Sequence, residues 1–132
     1  MKNAEAEAVR FSAKCVLCKY DAQTKSYTAS WDKITSRQDV RDKLGTDEST
    51  LSIHLPNKIS IYANPDNFSE HIETTARVLD RDGNPHFWYG DFLIVAHNGK
   101  IPVDIDVFTL TNVWGTIFAD IEHEGLYESE DF

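Results

Sequence analysis

The residues with the means to do chemistry are few and scattered. Cys15 and Cys18 form a single C-x-x-C spacing, the only cysteines in the chain. A structural zinc site needs four ligands, and a redox dithiol needs a helix N-terminus to lower a thiol pKa. No second cysteine pair and no histidine at finger spacing follows. The surrounding segment also reads as a strand, where positions i and i+3 face opposite ways. Buried structural thiols are the expectation. The five histidines are dispersed, and Glu70-His71-x-Glu73 and Glu122-His123-Glu124 are partial metal clusters without an H-E-x-x-H spacing. Neighbouring helical residues diverge by about 100°, so each cluster offers one face a ligand or two, and incidental surface pairing is expected. No G-x-G-x-x-G, P-loop or G-x-S-x-G motif occurs, and nothing calls for a metal or cofactor.

The carboxylates Asp80, Asp82 and Asp91 lie close together in sequence, but DRDGN lacks the downstream bidentate Glu of a calcium loop. Turn chemistry of the Asp-Gly-Asn type accounts for them. Beside them stands the aromatic cluster His86-Phe87-Trp88-Tyr89. In a strand, His86 and Trp88 share one face and Phe87 and Tyr89 the other. One pair fills the core, and the other is free to stack a planar ligand or anchor a partner. The tight surroundings implied by Gly90 and the apolar strand after it favour a core role for Trp88. His86 with Asp91 or Asp82 is the sole constellation resembling a general base and its orienting carboxylate, with Arg77 available to an anionic group.

The elements that position these residues centre on Phe92–Ala96, the longest uninterrupted apolar run. Five residues suit a strand buried on both faces. Asp82-Gly83-Asn84-Pro85 precedes it and Asn98-Gly99 follows, both strong turn signals. Upstream, Val9–Tyr20 reads as a strand, Asp21–Lys25 as a hairpin loop and Ser26–Trp31 as its partner. Ser36 or Thr35 caps a short helix, Arg37–Leu44, stopped by Gly45. Leu51–Leu55 and Ile59–Tyr62 alternate as a hairpin or as one strand broken at Pro56. Asn64–Asn67 is a turn cluster, and a polar stretch runs from it to Thr75. Ala76–Leu79 is a further short strand, and Ile101–Ile105 an edge strand because Pro102 cannot donate to a ladder. Leu110, Val113, Trp114, Ile117, Phe118 and Ile121 follow helical spacing, with Thr109 or Asp106 as cap. The expected class is α+β: a mostly antiparallel sheet of six or seven short strands, one short helix and a longer C-terminal amphipathic helix packed on it. One domain is expected over 1–132, with a frayed start at 1–8 and an acidic tail at 122–132.

Charge narrows the function classes. Residues 1–66 carry 10 basic and 9 acidic side chains, whereas residues 67–132 carry 3 and 13. Nucleic-acid binding is disfavoured, since it needs clustered Lys and Arg. A solvated acidic surface is the plain reading, and an acidic face for a basic partner the sharper one. No apolar run approaches a bilayer span, no apolar leader opens the chain, and the two cysteines suit a reducing compartment. A cytoplasmic location follows.

Thr75-Ala76-Arg77, Asp82-Gly83-Asn84, Tyr89–Val95 and Phe108-Thr109-Leu110 together resemble a pattern in a domain-of-unknown-function family of small, uncharacterised phage- and mobile-element-encoded proteins. The resemblance spans roughly residues 59–121 and rests on turns and core strands. It implies a phage or mobile-element origin, and the family brings no established catalytic residues. These readings converge on a non-catalytic binding protein engaging a basic host protein or a small ligand through Arg77, His86, Trp88, Tyr89 and Asp91. The alternatives are an acidic nucleic-acid mimic and a small hydrolase or transferase using His86 and Asp91. Oligomeric state and ligand identity stay open.

Overall fold

The computed structural model describes residues 11–46, 50–70, 74–119 and 121–122. The expected frayed start, the two partial metal clusters beyond Glu70 and Glu122 and the acidic tail lie outside these residues. The chain runs β1 (Ala13–Asp21), β2 (Ser26–Ile34), α1 (Arg37–Leu44), β3 (Leu51–Leu55), β4 (Ile59–Ala63), α2 (Asp66–Glu70) and β5 (Ala76–Leu79). It continues through β6 (Pro85–Trp88), β7 (Phe92–Asn98), β8 (Ile101–Val103), α3 (Val107–Trp114), β9 (Ile117–Phe118) and β10 (Ile121–Glu122). The described residues form mostly antiparallel sheet with a few short helices, an arrangement that fits the expected α+β class and a mainly β one alike.

The larger sheet has the order β10-β2-β1-β7-β4-β3, with β8 pairing the far end of β7. Its centre is the apolar run: Phe92 to Ala96 are all buried, with β1 on one side and β4 on the other. Both faces of its central strands are packed. Val16, Cys18, Tyr27, Ile61, Phe92 and Ile94 point into one cluster with the smaller sheet, β6-β5-β9, and with Leu110 and Val113 of α3. Ala13, Cys15, Ile34, Leu93 and Val95 point the other way, against Leu44 and Val40 of α1. Period-2 alternation therefore sends Cys15 and Cys18 to opposite faces, both fully buried. Burial pushes the Cys15 thiol up to about 12 and the Cys18 thiol higher still, so both are inert.

The first helix forms as its ends dictate. The Ser36 hydroxyl accepts from the Asp39 N–H at 3.0 Å, and Gly45 sits at φ +75°, where its N–H reaches back to the carbonyls of the last turn. Leu51–Leu55 and Ile59–Ala63 are a hairpin, with Ile53 opposite Ile61.

The end of the chain departs from its periodicity. The expected long amphipathic helix is eight residues, capped by the Asp106 carboxylate on the Thr109 N–H at 2.7 Å and finished at Trp114. Beyond Gly115, Ile117 pairs with Val78 and Phe118 with Arg77, while Ile121 lies parallel to Tyr27. Strands rather than helix place these residues, burying Ile117 and leaving Phe118 47 % exposed: the open edges of β5 and β2 offer backbone partners that a continued helix would leave unpaired. The 64–75 stretch also holds α2, a single short turn started by the Asn64 side chain accepting from the Asp66 N–H at 2.9 Å.

Candidate functional site

The residues singled out by the sequence do not meet. His86 directs Nε2 to the Asp80 carboxylate at 2.8 Å, while the other Asp80 oxygen accepts the N–H groups of Asp82 and Asn84 at 2.9 Å each. This is an Asx-type clasp over the DRDGN turn, and the bond to His86, followed by those backbone donors, holds the Asp80 carboxyl below its ordinary value. Asp91 serves a different strand, accepting the Tyr20 N–H at 2.8 Å just beyond the β1–β7 ladder. Arg77 stands opposite Phe87 and Phe118 in the smaller sheet, its guanidinium 4.8 Å from the Phe118 ring centre. His86 pairs with Val78 instead, one residue on, and so takes the opposite face from Arg77. The three side chains thus carry separate partners, which removes the geometry a hydrolase or transferase built on His86 and Asp91 would require.

Trp88 offers no binding surface. It is 1 % exposed and packs edge-on against Phe68 at 5.0 Å, and Tyr89, half-buried, meets the same ring at 5.1 Å. The exposed aromatic of the cluster is Phe87, at 59 %. Nearby, Tyr27 closes a polar knot with Thr75 and Gly90: its hydroxyl meets Thr75 Oγ1 and donates to the Gly90 carbonyl at 2.8 Å, and Thr75 Oγ1 accepts the Gly90 N–H at 2.9 Å. Gly90 is at φ +78°, and a Cβ there would come within 2.6 Å of the Asn67 side chain. These residues stitch the two sheets together.

The concave feature lies on the other side of the molecule, where α1 leaves part of the larger sheet uncovered. It is a cleft of about 850 Å³ between α1 and the β7–β8 hairpin. Arg37 and Arg41, one helical turn apart, line it from α1. Lys100 lines it from the β7–β8 turn, and Tyr62 of β4 and His97 of β7 from the sheet. Among the described residues no carboxylate lines it. The carboxylates of α1 are held elsewhere: Asp42 accepts from Gln38 at 2.8 Å, and Asp39 accepts the Thr35 N–H at 3.0 Å and pairs with Lys43 at 3.8 Å. Gln38 also accepts from Arg41 at 2.9 Å, which fixes that guanidinium on the helix flank.

Tyr62 OH and His97 Nε2 lie 2.8 Å apart. Burial raises the Tyr62 phenol above its usual range, with the Ser60 hydroxyl and the Arg37 guanidinium pulling the other way. Burial, followed by the charge of His54, lowers His97. A neutral phenol against a neutral imidazole always leaves one donor for a third group, since one N–H or O–H is spent between them. Beneath them Ser60 Oγ lies 2.9 Å from His54 Nδ1, the spacing of a nucleophile and its base. Ser60 is only 2 % exposed, so its hydroxyl is closed to substrate although His54 is exposed.

No protein-family model, curated protein or solved structure matches the chain. Among the described residues no group of three or more His, Cys, Asp or Glu side chains gathers, and no helix is long and apolar enough to cross a membrane.

Proposed function

We propose that this is a non-catalytic binding protein whose cleft between α1 and the β7–β8 hairpin holds a small anionic ligand. One observation carries the reading: among the described residues, three cations and a Tyr–His donor pair line a concave site with no carboxylate, in a chain of net charge −9. Arg37 and Lys100 are exposed and Arg41 is half-buried. Lining one concavity with all three sets like charges against one another, and an entering anion relieves that repulsion. The ligand therefore supplies what the fold withholds. Of the two partner types read from the sequence, a small ligand fits this concavity better than a host protein does. A phage or mobile-element origin remains a proposal supported by the sequence resemblance alone.

The test is isothermal titration of the whole chain with small oxyanions, alongside Arg37→Glu and Arg41→Glu. Arg37 is exposed and Arg41 half-buried at the rim of the cleft, and the substitutions keep helix propensity. Each reversal is expected to weaken binding by tenfold or more while leaving the melting temperature within a few degrees. Equal affinity in wild type and both variants would refute the cleft as the binding site.

A further inference from the structure

We infer that the ligand of this cleft is a phosphomonoester with an apolar ring-bearing body, an inference that rests on the anion-binding reading above. The head group follows from counting donors. Arg37, Arg41, Lys100 and one group of the Tyr62–His97 pair all line the cleft. A carboxylate carries one charge on two oxygens, too little to answer three cations and their many N–H groups. A phosphoryl group carries close to two charges on three oxygens, and arginine forks match it bidentately.

The body follows from the rest of the lining. Val40 and Pro102, both half-buried, face the same space, together with Ile101, which is 52 % exposed. An inorganic anion would touch the cationic side and leave this wall wet. Ile34 and Val95, both fully buried, back this wall from within, and Val40, Ile101 and Pro102 form its accessible floor. A planar ring lies on such a floor with less loss of conformational freedom than a flexible chain. Covering roughly half of a phenyl ring there is worth about tenfold in affinity.

The experiment compares phenyl phosphate, inorganic phosphate and benzoate by titration against the whole chain, then repeats the set with Ile101→Ser and Lys100→Gln. Both substituted side chains are exposed, so the fold stays intact. Phenyl phosphate is expected to bind about tenfold or more tighter than either of the others. Ile101→Ser should erase most of its lead over inorganic phosphate without changing inorganic phosphate itself. Lys100→Gln should weaken both phosphates together. Benzoate matching phenyl phosphate would overturn the phosphate head group and leave the anion reading standing. Inorganic phosphate matching phenyl phosphate would overturn the ring-bearing body. If none of the three binds, the inference and the anion reading fall together.

Discussion

Replacing Trp88 separates core from surface more cleanly than any other single change in this protein. The side chain is 1 % exposed, faces Ala76 across the β5–β6 pair and stands edge-on to Phe68. Truncation to Ala removes the largest buried side chain of the core. It should destabilise the fold by about 3–5 kcal/mol, through lost burial and the cavity left behind. The indole Nε1 adds a second, opposite term. It is buried and meets no hydrogen-bond partner among the described residues, and an unsatisfied buried donor costs about 1–3 kcal/mol. Trp88→Phe loses some volume but removes that donor, so its net cost should stay within about 2 kcal/mol. Domains of 60–250 residues lose roughly 2–8 °C of melting temperature per kcal/mol. Trp88→Ala should therefore melt on the order of 10 °C or more below the parent, and Trp88→Phe only a few degrees below. Thermal unfolding followed by circular dichroism reads both. A Trp88→Ala protein melting within a few degrees of the parent would refute the packing argument. A Trp88→Phe protein as damaged as Trp88→Ala would refute the part given to the unpaired N–H.

Thr75→Val should strand the Gly90 N–H and disturb the Tyr27 hydroxyl, costing about 1–3 kcal/mol and raising hydrogen exchange at Gly90. Ser36→Ala should cost about 1 kcal/mol and fray the first turn of α1, seen as faster exchange at Asp39. Asp80 is held below its ordinary value in the folded state, so its contribution is present above the unfolded value of 3.8 and lost as pH falls through the lower folded value. Carboxyl titration by NMR, with Asp80→Asn as control, should find the DRDGN turn loosening in that acid window and the stability of the variant flat across it. His97, also lowered, is protonated first in the unfolded chain. Its neutral ring contributes stability above about 6.5, and this contribution falls away as pH drops below that value.

Much of the frame was legible because local and tertiary preferences agree. Phe92–Ala96 has no polar residue to orient it outward, so burial on both faces was forced. Ser36 and Gly45 bound α1 by backbone chemistry alone. The DRDGN segment formed the turn its Asp and Gly require. The last helix misled because Ile117, Phe118 and Ile121 satisfy a helical period, while β5 and β2, distant in sequence, supply the edges that claim them. Trp88 and Phe87 followed strand alternation, yet alternation alone does not say which face is inside.

The cleft left no local signal. Arg37 and Arg41 looked like the solvated flank of a short helix, and Lys100 was one of only three cations in an acidic half. Tyr62 and His97 lie 35 residues apart and meet only because β4 pairs with β7. Charge counted along the chain hid a local excess that pairing of the strands creates.

The most direct test of the cleft as the ligand site is an amide NMR titration of the whole chain with phenyl phosphate. Saturable shifts should concentrate at residues 36–41, at Tyr62 and at residues 97–102, with Arg77, His86 and Phe87 unmoved. Shifts centred on the Arg77–Phe87–Phe118 face, or none at any residue, would contradict the account.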